Sequence, residues 1–159
     1  IELGADLVMH SATKYMDGQG RVLGGVLVGR ADLLEPIRFF ARHTGPALSP
    51  FNAWVLSKSL ETLYVRMKAH CENAFALAHA LEGHPVLNAV HYPFLESDTR
   101  TILTHPASTT HSKLSPADRA AVGITDGLVR VAVGLEAVED LVGDFEQALA
   151  KIAEPVDVI

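Results

Sequence analysis

The chain has 159 residues, of which 48% are apolar and 20% charged, with a formal net charge of -6. That length and composition suit one globular domain, or one and a fraction, with enough apolar surface for a core. No Lys/Arg block interrupts the acidic balance and no apolar run reaches the roughly 18 residues of a membrane span, so neither nucleic acid nor membrane is an expected partner.

The single cysteine, Cys71, cannot close an intrachain disulfide, which fits a reducing cytoplasm. The opening IELGADLVMH has no initiator Met and no basic n-region or cleavage site of a signal peptide, and reads as beginning in mid-protein.

Leu7-Val8-Met9 is a short apolar run after Gly4-Ala5-Asp6 and predicts a buried strand. Gly24 to Gly29, GGVLVG, predicts its neighbour, with a loop between them. ADLLEPIRFFARH has mixed helical spacing, with Pro36 tolerable only in a first turn, and TGPALSP is a loop. Ser49 caps and Pro50 suits the first helical position, after which helical composition persists until Gly83 and Pro85. A run that long is bent or passes from one domain to the next, and the second reading puts a boundary near Leu63 to Arg66.

VLNAVHYPF predicts a strand ended by Pro93, and THPASTTHSKL a polar loop. SPADRAAVG repeats the Ser-Pro helix start and stops at Gly123. GLVRVAVGLE predicts a strand with Val129, Val131 and Val133 on one face and Leu128, Arg130 and Ala132 on the other. An amphipathic helix follows from Val138 to Ile152. Alternating helices and strands argue for α/β or α+β layers.

Lys14 follows the first strand and precedes a glycine-rich turn. A lysine amine becomes reactive when its surroundings lower its pKa or a carbonyl cofactor captures it. Ser11 and Thr13, two residues apart, would point the same way in an extended segment and hold a phosphate. Taken alone, the [ST]-x-[ST]-K pattern favours a solvated lysine at a strand end. Gly18, Gly20, Gly24 and Gly25 fit no nucleotide fingerprint. They permit positive φ angles and close backbone approach near a ligand, or form a plain hairpin turn.

Arg130 stands in an otherwise apolar strand. A half-buried arginine suits a carboxylate held by two parallel hydrogen bonds, whereas an edge-strand arginine paired with a surface acid is the simpler account. His105 and His111 share a loop without acid or sulfur at a metal-ligand spacing, so no metal site is expected and loop hydrogen bonding is their expected role. Cys71 reads as a small core residue of a helix.

In order along the chain, GADLVMHSATKY…GGVLVG, TGPALSPFNAWVLSKSLETLYVRMKAHCENA, THPASTTHSKL and GITDGLVRVAVGLE resemble the Cys/Met-metabolism pyridoxal-phosphate enzymes. These include cystathionine γ-synthase, cystathionine and methionine γ-lyases and the homoserine-ester sulfhydrylases. DGQGRVLGG, RHTGPALSPFNAW and THPASTTHSKLSP are most similar to the O-succinylhomoserine sulfhydrylase branch.

The resemblance implies an α/β, fold-type I pyridoxal-phosphate transferase. Residues 1–65 would end the large cofactor domain, and residues 66–159 would form an incomplete α+β C-terminal small domain. It implies pyridoxal 5'-phosphate as cofactor, Lys14 as the Schiff-base lysine, and Ser11 and Thr13 as phosphate ligands. Arg130 matches the arginine that grips the substrate α-carboxylate, and Thr101 falls where relatives often carry a serine near that carboxylate. The implied reaction is γ-replacement on an activated homoserine ester by sulfide, with an amino-acid substrate, in a cytoplasmic homo-oligomer, a tetramer of close dimers.

Two departures from the family pattern stand out. The N-terminal half, with the ring-stacking tyrosine and the aspartate that pairs with the pyridine nitrogen, has no counterpart here. FLESD also runs straight into TRTILTHPAS, which puts a joint near Asp98 and Thr99. A polypeptide of this sequence alone is therefore expected to be an inefficient enzyme, or a non-catalytic fragment that pairs with a full-length relative.

Overall fold

Leu7–Ser11 (β1) and Gly25–Gly29 (β2) pair antiparallel, from Leu7 opposite Gly29 to Ser11 opposite Gly25. A Cβ on Gly29 would stand 2.6 Å from the Asp6 carbonyl oxygen, so this register needs a glycine there. The computed structural model describes residues 1–92, 102–152 and 156–158, and the chain divides into two compact units, Ile1–Tyr64 and Val65–Ile159.

In the first unit the sheet has two strands. The expected burial of Leu7-Val8-Met9 is not found: Met9 is 81% exposed. A strand is buried by neighbours on its edges and faces, and β1 has a single partner strand.

Helix α1, Ala31–Thr44, ends at Gly45 in the left-handed region (φ 89°), whose N–H closes on the Ala41 carbonyl. It begins five residues before Pro36, so the proline sits in the second turn rather than the first. The ring costs α1 the hydrogen bond that residue 36 would have given to residue 32.

Helix α2, Pro50–Leu60, has the predicted start, with Ser49 Oγ accepting from Asn52 N–H at 3.1 Å. The long helical run is two helices, because α3 spans Leu63–Leu81. Hydroxyls break the ladder between them: Ser59 Oγ donates to the Val55 carbonyl and Thr62 Oγ1 to the Ser59 carbonyl. The backbone N–H groups of Glu61 and Thr62 fall back on the Lys58 and Ser59 carbonyls, a tighter turn. Ala12, Val22, Val55 and Leu56 form the core of this unit.

The second unit carries a four-stranded sheet in the order β3-β6-β5-β4, made of Leu87–Val90 (β3), Ile102–Thr104 (β4), Leu128–Ala132 (β5) and Val156–Val158 (β6). β6 runs parallel to β3 and β5, and β4 runs antiparallel to β5. Helix α4 spans Pro116–Ala121, with Ser115 Oγ accepting from Asp118 N–H. Helix α5 spans Val138–Leu149, shorter than predicted because Lys151 and Ile152 close tighter bonds to Ala148 and Leu149.

The predicted valine face of β5 is the core face. Val131 and Val133 pack with Ala74, Leu77 and Leu81 of α3 and Leu141 and Leu149 of α5, with Val129 against them. α3 is stitched to the chain beyond β5: His70 Nδ1–H donates to the Val133 carbonyl at 3.0 Å, and Asn73 Nδ2 to those of Gly134 and Glu136. Cys71, expected in a core, is exposed on α3.

Candidate active site

Lys14 lies in a turn over Ala12–Met16 whose backbone kinks at the lysine itself (φ -86°, ψ -123°). Ala12 anchors the entry. It is fully buried, and its N–H donates to the Gly24 carbonyl at 2.9 Å. Gly24 permits that approach, since a Cβ there would meet Leu56 Cδ1 at 3.2 Å and Ala12 Cβ at 3.6 Å. The exit closes by Asp17 N–H to the Ala12 carbonyl and Gly18 N–H to the Lys14 carbonyl. Gly18 and Gly20 have positive φ, as a chain turning this sharply requires.

Behind the lysine, the sequence reading missed a buried acid. Asp17 is 1% exposed, and Arg21 Nη2 stands 2.9 Å from its Oδ1. The Arg21 backbone N–H also donates to Oδ2, and Nη2 reaches Ser59 Oγ on α2 at 2.6 Å. Burial alone would raise the Asp17 pKa, but the Arg21 hydrogen bonds and charge, with Val22 N–H, hold it below its ordinary value. The Asp-Gly-Gln-Gly-Arg run, an acid and a base joined by a glycine-rich turn, was the available signal.

Within this frame the Lys14 side chain is exposed, and among the described residues its ammonium has no partner. The Ser11 hydroxyl is likewise exposed and without a partner among them. The expectation that Ser11 and Thr13 share an extended segment is corrected, because the strand ends at Ser11 and Thr13 belongs to the turn. Thr13 Oγ1 accepts from Gly24 N–H at 3.1 Å and donates to the Gly24 carbonyl at 3.5 Å.

In the second unit Arg130 lies opposite Thr104. β5 is an interior strand, so the edge-strand account does not apply. The arginine is exposed rather than half-buried, and among the described residues its guanidinium has neither a hydrogen bond nor an acid partner. Thr101, and the joint at Asp98 and Thr99, lie outside the described residues.

The two loop histidines do bind their loop. His105 Nδ1 accepts from Ser108 Oγ at 2.7 Å and its Nε2–H donates to the Asp126 carbonyl at 2.8 Å, while His111 Nδ1 meets Thr110 Oγ1 at 2.8 Å. Among the described residues no group of His, Cys, Asp or Glu is arranged to hold a metal ion.

The sequence profile of the "Cys/Met metabolism PLP-dependent enzyme" family matches residues 1–101 and 97–150. The chain belongs to this family. O-Succinylhomoserine sulfhydrylase of Pseudomonas aeruginosa is 41% identical over 198 residues, taking in 96% of this chain and 49% of that protein. L-Methionine gamma-lyase of Porphyromonas gingivalis is 36% identical, covering 94% of this chain and 49% of its own length. The crystal structure of cystathionine gamma synthase from Xanthomonas oryzae, in complex with aminoacrylate and cysteine, superposes with a TM-score of 0.85. It is 31% identical and covers 94% of this chain and 51% of that one.

The chain thus spans about half the length of the curated relatives it matches. The aligned 198 residues exceed the chain's own 159, so a stretch of the relative has no counterpart here. The two matched segments meet at residues 97–101, where the sequence places its joint.

The residues at the Lys14 turn fit the family's cofactor. They offer a primary amine to an aldehyde and, free among the described residues, a hydroxyl to a phosphate, while the nearby Asp17 carboxylate is turned inward and paired with Arg21.

Proposed function

We propose that the complete protein makes homocysteine and succinate from O-succinylhomoserine and sulfide. The substrate's Cγ–O bond breaks, succinate leaves as a carboxylate, and the sulfide sulfur bonds to Cγ. Pyridoxal phosphate, when bound, supplies an electron sink for the substrate's α-carbon.

This chain's residues have separate tasks in that reaction. The Lys14 amine would hold the cofactor's aldehyde and, when free, would move protons to and from the substrate's Cα and Cβ. The Ser11 hydroxyl donates to the phosphate. Thr13 can join it, because its 3.5 Å contact to the Gly24 carbonyl is long enough to give up for a phosphate oxygen. Arg130 takes the α-carboxylate with two parallel hydrogen bonds and so orients the Cα–H bond. Thr101 assists near that carboxylate.

On this reading, the first unit is the end of the cofactor domain and the second an incomplete small domain. The observation that carries the proposal is the Lys14 amine, without a partner among the described residues, on a turn pinned at both ends.

The relatives also favour a second reading within the family, in which the same residues serve a γ-lyase or cystathionine γ-synthase. Supplying O-succinylhomoserine with sulfide, and separately with cysteine, separates these. Homocysteine supports the sulfhydrylase, cystathionine the synthase, and 2-oxobutanoate without a thiol product the lyase.

The protein works in the cytoplasm as a homo-oligomer, a tetramer of close dimers. Exposed Met9, Leu23, Phe39, Phe40 and Trp54 support association, which light scattering of the purified protein measures. A colourless protein that only binds a full-length relative would replace this reading with a non-catalytic one.

A further inference from the structure

Arg130 reaches solvent from a strand whose other outward positions, Leu128 and Ala132, are buried. Because its guanidinium has no partner among the described residues, its aim depends on how firmly its backbone is held. On one side β5 is tied to β6 through Leu128 opposite Asp157 and Val129 opposite Val158. On the other side Ile102, Leu103 and Thr104 pair with Ala132, Val131 and Arg130, so Arg130 sits on the last rung. Last rungs fray when nothing lies beyond them.

Here something does. His105 is the next residue after Thr104, and its Nε2–H donates across the gap to the Asp126 carbonyl at 2.8 Å. Asp126 is the second residue of the turn that enters β5, which Leu128 N–H closes on the Thr125 carbonyl. The imidazole is held in that tautomer by Ser108, whose hydroxyl donates to Nδ1 at 2.7 Å. The same turn is gripped from outside, since Arg119 Nη2 meets Asp126 Oδ1 at 3.0 Å and Nη1 donates to the Leu114 carbonyl. A side-chain bond thus continues the ladder beyond its last backbone rung.

We propose that His105 is a positioning residue for substrate recognition, clamping the turn before β5 so that Arg130 presents its guanidinium to the α-carboxylate. The inference rests on the reading of Arg130 as the carboxylate ligand. His105 touches no substrate; it acts through Asp126 and the strand.

The test compares binding of glycine and glycinamide to the full-length holoenzyme by calorimetry. The ratio of the two affinities isolates the carboxylate contribution from folding and cofactor content. His105→Ala lowers that ratio about three- to tenfold, the worth of one hydrogen bond. His105→Gln, whose amide can still donate to the Asp126 carbonyl, keeps most of it. Should the alanine variant not fold, Ser108→Ala, which only frees the ring to reorient, lowers the same ratio by a smaller factor.

Equal weakening toward both ligands, with the ratio unchanged, shows a merely structural histidine and overturns the proposal. Arg130→Ala is the control for the underlying reading. If it leaves the ratio intact, Arg130 is not the carboxylate ligand and the inference falls with it. If it collapses the ratio while His105→Ala and Ser108→Ala do not, only the inference fails.

Discussion

Arg21 closes on the buried carboxylate of Asp17, with Nη2 2.9 Å and Nε 3.0 Å from Oδ1, directly behind the turn that displays Lys14. The same guanidinium reaches Ser59 of α2, so one ion pair fastens the Lys14 turn to that helix. Asp17→Asn removes the charge and leaves these donors poorly matched. Arg21 is 45% exposed and partly screened by solvent, so the expected loss is about 1–3 kcal/mol, measured by urea unfolding at neutral pH. The folded-state pKa of Asp17 is depressed, so its contribution is complete above the ordinary value of 3.8 and is lost as pH falls through the lower folded value. The wild-type and Asp17→Asn unfolding curves therefore converge at strongly acid pH; a constant difference down to that range would show that the carboxylate's ionisation contributes nothing.

His70 gives a second pH dependence with its own window. Burial pushes its pKa below the ordinary 6.5 and the Arg66 charge adds to this, against the Val133 and Gly134 hydrogen bonds and the Glu136 charge. The neutral ring is the form the fold accepts. Stability is therefore complete above about 6.5 and declines as pH falls from there through the lowered folded value. His70→Asn keeps a donor near the Nδ1 position and should flatten this part of the stability profile. An unchanged slope in thermal melts between neutral and mildly acid pH would refute the assignment.

Gly29 tests the strand register that leads to Lys14. A Cβ there would meet Leu7 Cδ2 at 2.5 Å and the Asp6 carbonyl oxygen at 2.6 Å. The side-chain contact can move aside, but the backbone oxygen moves only with β1. Gly29→Ala should cost about 1–3 kcal/mol in denaturant unfolding. A neutral result would mean that β1 and β2 pair in another register.

These elements were not equally legible in the sequence. Ser49-Pro50 and Ser115-Pro116 announced α2 and α4 because a cap and a first-turn proline act on their own neighbours. The valine face of β5 was legible for the same reason, since alternation is written in consecutive residues. β6 was not, because one Val-Asp-Val alternation is too short to mark a strand and this one exists through β3 and β5. The break between α2 and α3 was hidden in two hydroxyl residues of ordinary helical composition. Among the candidate residues, the order of motifs singled out Lys14, Ser11 and Arg130, while the Asp17–Arg21 pair and the His105–Asp126 bond depend on distances that only the folded chain fixes.

Arg130 offers a kinetic prediction. Lysine keeps the charge but loses the planar fork, so Arg130→Lys should raise KM for the amino-acid substrate by roughly tenfold, with a smaller change in kcat. Steady-state rates across substrate concentration check this, and an unchanged KM would remove Arg130 from substrate binding.

Covalent capture at Lys14 is the claim on which the activity depends. Purified protein is loaded with pyridoxal phosphate, reduced with borohydride, digested and mapped by mass spectrometry. A phosphopyridoxyl group on Lys14 is the predicted result. Label confined to Lys58, Lys68, Lys113 or Lys151, or no label at all on a folded protein, would contradict the account.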